Sequence, residues 1–312
     1  MTGFSEIGPR VYVARYPEWD VNVGVVAGDD GLLVVDTRAG LRQGEVLRDD
    51  VGRLAPHAEV RWVINTHCHF DHVLGNAAFE DAIVCAHENA AAAIGDHVAY
   101  VKARIGADPD PDPDHPEITA AVLTDVTSSP VRVPDTTLAS VRAIDLGDRV
   151  VEIMHPGRGH TDGDVVVVVP DAQVVFAGDL VEEAGPPGYG SDSFPLDWAD
   201  SLDLAMGVLT AQSLVVPGHG APVDRDFVER QLTDIAAVAQ MIRELARRGV
   251  PVAEALGAGN ELPRRGSLAA AYGVAEPAGE QAATGWPFDP AVLDDAVRRG
   301  YAQLGLPGTG DR

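Results

Sequence analysis

Histidines and an aspartate are concentrated in one short segment of the chain. Its sequence, NTHCHFDH, spans residues 65–72 and contains His67, His69, Asp71 and His72. These side chains titrate and bind metal ions, and crowding them together costs free energy unless a bound cation holds them. Alternate side chains of an extended segment point the same way, so we expect the first three on one side, whereas His72 lies where a helix can begin. The segment can therefore serve two neighbouring points in space.

Three later residues share the setting of this segment. His160, Asp179 and His219 each follow an apolar, strand-like run at a short distance, and each is directly preceded by glycine. Glycine permits tight turns and the close approach of an ion, and loops at strand ends commonly carry binding residues. We therefore interpret the three residues as further ligand candidates, presented where strands end.

The combined set predicts two metal sites that share a carboxylate. The expected first site holds His67, His69 and His160, the second holds Asp71, His72 and His219, and Asp179 bridges the two. Imidazole and carboxylate ligands with open positions for water are the composition of catalytic Zn²⁺ sites. The competing interpretation is a set of structural histidines in the core, but it does not explain why the candidates all lie at strand ends beside glycines.

Other histidines and the two cysteines lack this setting. We interpret four histidines as surface or hydrogen-bonded residues, namely His57, His87, His97 and His115. His155, which ends a strand near His160, is a candidate for the surroundings of the site. Cys68 is interpreted as a spacer because neighbouring side chains of an extended segment point opposite ways. Two cysteines cannot form a disulfide framework, so Cys68 and Cys85 are expected to be free thiols.

The pattern along the chain predicts two β-rich halves separated by an irregular loop. Short apolar runs bounded by turns predict strands over residues 11–15, 21–27, 32–36, 60–65, 82–85, 138–144, 149–155, 164–170, 174–177 and 214–216. Helices are predicted over residues 41–54, 72–79, 88–105, 198–209, 225–248 and 290–304. Alternating prolines in residues 108–116 remove backbone donors, which predicts an exposed loop. The run 165–169 is apolar on both faces, which places it inside a sandwich.

Composition narrows the class of protein. Hydrophobic residues make up 46% of the 312 positions, enough for a substantial core. The formal charge of −25 argues against nucleic-acid binding, which needs clustered lysine and arginine. No run approaches the roughly 18 consecutive apolar residues of a membrane span, and the first residues lack the basic and apolar regions of a signal peptide. We therefore expect a cytoplasmic protein with a small-molecule substrate and neither nucleic acid nor membrane as partner, while the sequence does not indicate its oligomeric state.

The motif set resembles the metal-binding pattern of the metallo-β-lactamase-fold hydrolase superfamily. The resemblance rests on HCHFDH at residues 67–72 together with His160, Asp179 and His219, and it extends over residues 11–229. It implies an α/β (α+β) fold, the four-layer αββα sandwich, with a binuclear zinc site along one edge. It also implies that Asp36 positions the ligand loop, residues 65–72, by contacting the metal ligands without binding a metal ion itself. We expect one domain over residues 1–312, with a helix and proline-loop insertion at 88–136 and a mostly helical extension at 226–312.

The resemblance also implies a reaction. A hydroxide bridging two zinc ions would attack an acyl carbonyl, with Asp71 orienting the attacking water and accepting its proton. Asp179 resembles the glyoxalase-II-like and lactonase-like branches, which cleave thioesters and lactones, because β-lactamases of the superfamily usually carry cysteine or a non-bridging residue there. A mononuclear Fe²⁺ persulfide dioxygenase using His69, His160 and Asp179 is the alternative. A β-lactamase and a metal-binding protein without catalysis are further alternatives, and nucleases are disfavoured by the negative charge.

Residues that select the substrate carry weaker signals. Tyr189, Phe194 and Trp198 are candidates for the substrate pocket, although packing in a loop or core explains such aromatic residues as well. A basic patch for substrate carboxylates would require clustered arginines. The candidates are Arg264, Arg265, Arg298 and Arg299, for which solvated surface positions are the simpler interpretation.

Overall fold

Valine-rich strands form two β-sheets within the first of two units of the chain. The computed structural model describes residues 3–262 and 284–306. Unit 1 comprises Met1–Pro156, Gly163–Ala184 and Leu209–Asp224, and unit 2 comprises Gly157–Asp162, Gly185–Val208 and Arg225–Arg312. Unit 1 contains both sheets, whereas the described part of unit 2 is mainly helical. The expectation of one domain over the whole chain stays a prediction.

The first sheet has its strands in sequence order. They are β1 (Ser5–Gly8), β2 (Val11–Tyr16), β3 (Val21–Gly28), β4 (Gly31–Val35), β5 (Val60–Ile64), β6 (Ile83–His87) and β7 (Thr136–Leu138). Strands β1 to β4 pair antiparallel and β4 to β7 pair parallel. Because parallel strands end on the same edge of a sheet, the segments that follow β4 and β5 begin side by side.

The second sheet has the spatial order β13-β12-β11-β10-β9-β8. Its strands are β8 (Val141–Asp145), β9 (Val150–Met154), β10 (Val166–Val169), β11 (Val174–Gly178), β12 (Leu214–Pro217) and β13 (Val223–Asp224). Only the β11 and β12 pair is parallel among these strands, so the residues that follow β11 and β12 also begin at one edge. Asp179 and His219 are among those residues.

Apolar side chains from both sheets form one core cluster. Its members include Val26, Leu33 and Ile64 from the first sheet and Ile153, Val167 and Phe176 from the second, all at most 3% exposed. All five residues of the run 165–169 are buried, as the two-faced apolar pattern predicts. The other face of the first sheet packs against helix α1 (Leu41–Leu54), which has the bounds predicted from the sequence.

Three further helices belong to unit 1. They are α2 (Phe70–Val73), α3 (Glu88–Ala107) and α4 (Ala120–Ser128). The expected helix over 72–79 is instead α2 followed by a 3-10 turn at Leu74–Ala78. Helix α4 was not predicted, although Thr119 caps it by accepting a hydrogen bond from the backbone N–H of Val122 at 3.3 Å. The proline-rich residues 108–116 are exposed, as predicted.

The strand predicted over 138–144 is wrong, because this segment contributes to both sheets. Leu138 ends β7 in the first sheet and Val141 begins β8 in the second. The intervening Ser140 carbonyl accepts a hydrogen bond from the backbone N–H of His155 at 2.7 Å. Neither glycine nor proline lies between Leu138 and Val141, and the single polar residue Ser140 is too weak a break signal to indicate where the chain changes sheets.

Unit 2 contains α5 (Trp198–Met206), α6 (Arg225–Arg247), α7 (Val252–Gly259) and α8 (Asp294–Gln303). Helix α6 packs against the other three. Gly300 of α8 lies against Ile242 of α6, where a Cβ atom would come within 2.7 Å of the isoleucine methyl group, so α8 approaches α6 closely. The predicted helix over 290–304 is a 3-10 turn followed by α8. No helix in the described ranges has the length and apolar character needed to cross a membrane.

Candidate metal centre

Asp36 ties the ligand loop to the end of β4. It has a positive φ of 63°, a conformation that aspartate tolerates better than most residues. Its carboxylate accepts hydrogen bonds from the Thr66 backbone N–H at 2.8 Å and from the Thr66 hydroxyl at 2.7 Å. The same carboxylate accepts a third bond, at 2.9 Å, from Nδ1 of His72. The loop that follows β5 and the imidazole of His72 are thereby held together in one orientation.

His72 and His219 direct their Nε2 atoms at each other. Nδ1 of His219 donates a hydrogen bond to the Trp19 carbonyl at 2.8 Å, as Nδ1 of His72 does to Asp36. The two Nε2 atoms lie 3.3 Å apart. Two lone pairs at that distance repel each other, so a proton or a cation must lie beside them. An imidazole anchored through its other nitrogen is the usual form of a metal-bound histidine.

Hydrogen bonds from Asn22 of β3 hold the loop that presents His219. The Asn22 side-chain amide donates hydrogen bonds to the carbonyls of Pro217 at 2.9 Å and Gly220 at 2.8 Å. The Asn22 backbone N–H donates to the carbonyl of Gly218 at 2.8 Å. Asn22 is 5% exposed, so these bonds are shielded from water. The end of β12 is therefore fixed by residues of β3.

The carboxylate of Asp179 lies among three imidazoles. Its Oδ1 is 3.2 Å from Nε2 of His72. Its Oδ2 is 3.3 Å from Nε2 of His219 and 3.5 Å from Nε2 of His67. Asp179 follows Gly178, whose φ of +52° suits glycine, and a Cβ on the neighbouring Gly218 would overlap Oδ1 of Asp179. Both glycines let the carboxylate enter the cluster.

Two groups of donor atoms result within unit 1. The ligand atoms of His67, His69 and Asp179 lie within 4.8 Å of one another, and those of Asp71, His72 and His219 do so as well. Oδ2 of Asp71 is 3.5 Å from Nε2 of both histidines of its group. Neutral imidazoles and carboxylates at such distances are a donor set that fits divalent transition metals. The structure therefore brings together six of the seven predicted ligands.

His160, the seventh predicted ligand, belongs to unit 2. Its Nδ1 donates a hydrogen bond to the Gly188 carbonyl at 2.8 Å, which repeats the anchoring of His72 and His219. Its ring meets that of Trp198 edge to face, with centroids 5.6 Å apart. His160 is 5% exposed. Its place among the metal ligands stays a prediction from the sequence.

The excess of carboxylates makes the imidazoles basic. Burial lowers the pKa of the His72 imidazole, but the surrounding carboxylates, with Asp179 first, outweigh burial and raise this pKa to about 9. For His219 the same competition, again led by burial and then Asp179, raises the pKa to about 11. At neutral pH both rings therefore hold protons in the absence of a metal ion. A bound cation would replace those protons.

Glu182 is a member of the cluster that was not predicted from the sequence. Its ligand atom lies within 4.8 Å of those of Asp179 and His219. Burial, followed by the negative charge of Asp179, raises the pKa of Glu182 well above its usual value. The signal in the sequence was an acidic residue three positions after Asp179, a spacing too common in surface turns to indicate a site.

His97 also lies closer to the site than predicted. Its ring stacks on that of His69 with centroids 4.3 Å apart, so it covers one of the predicted ligands. The only signal was its place on the alanine-rich helix α3. His87 agrees with its prediction as a hydrogen-bonded residue, because Nε2 donates to the Ala139 carbonyl at 3.2 Å. The last two histidines of that set, His57 and His115, are exposed.

The three aromatic candidates for the substrate pocket all belong to unit 2. Trp198 is fully buried, and the ring of Tyr189 meets it edge to face at 5.0 Å. Phe194 is only partly buried and lines a cavity in unit 2. Cys68 and Cys85 are buried free thiols. Of the four arginines considered for a basic patch, for which solvated surface positions were the simpler interpretation, Arg264 and Arg265 lie outside the described residues.

Comparison with known proteins identifies the family. The model of the Metallo-beta-lactamase superfamily matches residues 16–220, more than half of the chain, and the chain belongs to this superfamily. A metallo-beta-lactamase structure from Pontibacter korlensis is 21% identical with a TM-score of 0.56, covering 74% of this chain and 97% of that one. One from Pseudomonas aeruginosa, in its mono-zinc form, is 18% identical with a TM-score of 0.56, covering 80% and 96%. The fold class predicted from the sequence is confirmed.

Curated relatives match a shorter part of the chain. Metallo-beta-lactamase type 2 from Bacillus cereus is 34% identical over 93 residues, which are 29% of this chain and 36% of the relative. The same enzyme from Bacillus sp. strain 170 is 32% identical over 93 residues, again 36% of its length. The chain therefore matches about a third of the length of these relatives, and their activity is not transferred to it by likeness alone.

Replacing Gly218 with alanine should remove metal from the centre. The added Cβ overlaps Oδ1 of Asp179, so the carboxylate must leave its place among the histidines. We expect Gly218→Ala to lose at least one bound metal ion per chain, measured by elemental analysis after dialysis. Gly52→Ala is the matched control, since its Cβ meets nothing within 4 Å. A Gly218→Ala protein with the full metal content would contradict this role of Asp179.

Zinc binding should release protons at neutral pH. The raised pKa values of His72, about 9, and His219, about 11, mean that zinc competes with protons for both rings. The apparent affinity should therefore rise as the pH increases from 7 towards 9. Titration calorimetry in buffers of different ionisation enthalpy measures the protons released. Zinc uptake without proton release at pH 7 would show that the rings are already neutral.

Proposed function

We propose that the chain is a binuclear zinc-dependent hydrolase that cleaves the acyl bond of a small-molecule thioester, lactone or ester. The observation that carries the proposal is the Asp179 carboxylate, which lies within 3.5 Å of Nε2 atoms of His67, His72 and His219. Oδ1 faces His72 of the second donor group, and Oδ2 lies near both His67 of the first group and His219 of the second, so the carboxylate is suited to bridge two cations. Membership of a superfamily that includes many hydrolases supports the same conclusion.

The proposed ligands divide into two sets around Asp179. His67, His69 and His160 would hold one ion, and Asp71, His72 and His219 the other. When bound, two zinc ions lower the pKa of water towards neutrality and polarise the acyl carbonyl of the substrate. The anchored Nδ1 atoms of His72, His160 and His219 support this assignment, because they leave Nε2 as the coordinating nitrogen of each ring.

Asp71 is the proposed residue that moves protons. Its Oδ2 lies 3.5 Å from Nε2 of His72 and of His219, so the carboxylate has a defined position in the second group. In addition to its place as a ligand, we assign the carboxylate of Asp71 to orient the attacking water, to accept its proton and to return a proton to the leaving group. Asp36 holds the His72 ring through Nδ1 and so fixes the imidazole that Oδ2 of Asp71 faces.

An iron dioxygenase and a β-lactamase are the two alternative functions, and each would use the cluster of histidines and carboxylates differently. A mononuclear iron dioxygenase needs only two histidines and Asp179, which gives no role to the group formed by Asp71, His72 and His219. The second donor group therefore favours two metal ions. A β-lactamase activity is suggested by the curated relatives, but the carboxylate at position 179 disfavours it, because an aspartate at this position resembles the thioesterase and lactonase branches instead.

The net charge of −25 disfavours a nucleic acid as the substrate. Cytoplasmic location stays a prediction.

Metal analysis followed by a substrate panel tests the proposed function. We expect about two zinc ions per chain and turnover of at least one thioester, lactone or ester, compared on one preparation with β-lactams and with oxygen uptake on a persulfide. His69→Ala should lose metal and hydrolysis together, whereas His57→Ala, an exposed histidine of the same unit, should change neither. A His69→Ala protein that is metal-free and fully active would overturn the proposal, as would one iron per chain with oxygen uptake.

A further inference from the structure

A cavity in unit 2 gathers three arginines. Its volume is about 450 Å³. It is lined by Arg158, Phe194, Leu196, Asp197, Arg243, Arg299, Ala302, Gln303 and Leu304. The chain as a whole has 48 acidic and 23 basic side chains, so three guanidinium groups with one carboxylate reverse its general charge balance. All of these residues belong to unit 2.

Phe194 holds two of the guanidinium groups. The Cζ atom of Arg158 lies 4.4 Å from the centre of the Phe194 ring, and that of Arg299 lies 5.2 Å from it. Both distances are within the range of cation–π attraction. Nη2 of Arg158 also donates to Asp197 at 2.6 Å, and the Gln303 amide donates to the same carboxylate oxygen at 3.2 Å. The ring and the carboxylate therefore orient one wall of the cavity.

Arg243 and Arg299 are positioned by backbone carbonyls. Nη2 of Arg243 donates to the Leu196 carbonyl at 2.8 Å, and Nε of Arg299 donates to the Ser193 carbonyl at 2.9 Å. A guanidinium group has five N–H donors, so one bond to a neutral carbonyl fixes the group and leaves its charge and most donors for a ligand.

Three other arginines of unit 2 pair with carboxylates that are close to them in the sequence. Arg247 and Arg248 pair with Glu244 on α6, and Arg298 pairs with Asp294 on α8. Such pairs place a carboxylate beside each arginine at a separation of three or four residues. Among the ion pairs between described residues, those that involve an arginine of the cavity belong to Arg158, which pairs with Asp197 at 2.6 Å and with Asp162 at 3.8 Å. Among the described contacts of the cavity, the charges of Arg243 and Arg299 are not neutralised in this way.

We propose that this cavity binds the oxyanion of a small organic molecule, either a carboxylate or a phosphate group. Arg243 and Arg299 would donate to the anion from two sides, with Arg158 adding positive charge across the Phe194 ring. Leu196, Ala302 and Leu304 line the same cavity and would contact the carbon skeleton of the ligand. The site requires no metal ion, so it stands independently of the proposed hydrolase activity.

The cavity is connected to the loop that carries His160. The backbone N–H of Phe194 donates to the Gly159 carbonyl at 2.8 Å. The Ser201 hydroxyl donates to the Arg158 carbonyl at 2.6 Å. These bonds couple the wall of the cavity to residues 158–160, so a bound anion would restrain this loop.

Binding of succinate and of inorganic phosphate to the full-length chain tests the proposal. We expect at least one probe to bind in titration calorimetry, and which of the two binds distinguishes a carboxylate from a phosphate ligand. Arg243→Gln should weaken binding by about tenfold, the usual effect of losing a charged hydrogen bond. Arg299→Gln should weaken it as well. Thermal melting checks that each variant is folded.

Two control variants show whether binding depends on the cavity itself. Arg230 lies on the same helix α6 and contacts the Phe227 ring at 5.9 Å, outside the cavity, so Arg230→Gln should leave the dissociation constant within about twofold. His69→Ala, altered at the proposed metal centre, should also bind the probe normally. The proposal is overturned if neither probe binds, if Arg230→Gln weakens binding as much as Arg243→Gln does, or if His69→Ala abolishes it.

Discussion

The mutual repulsion of the carboxylates around Asp179, and of the Nε2 lone pairs of His72 and His219, is the constraint on which the site depends. Asp71, Glu182 and Asp179 place carboxylates beside His72 and His219 with little access to water. Without a cation, this arrangement holds protons on rings that would be neutral in solution, as their raised pKa values indicate. Divalent cations relieve the same repulsion and satisfy the Nε2 atoms, so metal binding explains why the fold tolerates the cluster.

The two sheets bring the carboxylates and imidazoles together because parallel strands end on a common edge. In the first sheet β4 ends at Val35, directly before Asp36, and β5 leads to the loop 65–72. Thr66 and His72 of this loop donate hydrogen bonds to Asp36. In the second sheet β11 leads to Asp179 and β12 to His219. The core between the sheets is built mainly from valine, leucine and isoleucine side chains, and this packing requires no metal ion.

Much of this arrangement could be predicted from the sequence because it depends on patterns of neighbouring residues. Apolar runs marked the strands, and the glycine before His160, Asp179 and His219 marked three candidate ligands that follow strand ends. Other features depend on the folded chain. The change of sheets between Leu138 and Val141 is marked only by Ala139 and Ser140, without the glycine or proline that would indicate a turn.

The same limit applies to residues that reach the site from a distance. His97 lies on a regular helix and meets His69 only through tertiary packing. Glu182 is an ordinary acidic residue until burial places it beside Asp179. Arg243 and Arg299 come together because α6 and α8 pack in unit 2, and their separation in sequence hides the cavity that they line. Local spacing identifies ligands on one loop, whereas convergence of distant segments needs the fold.

Anomalous diffraction at the zinc absorption edge tests the central claim most directly. Crystals grown with zinc should contain two anomalous peaks about 3.5–4 Å apart, with one oxygen of Asp179 next to each peak. One peak beside His72 and His219, or none near Asp179, would contradict a shared binuclear centre.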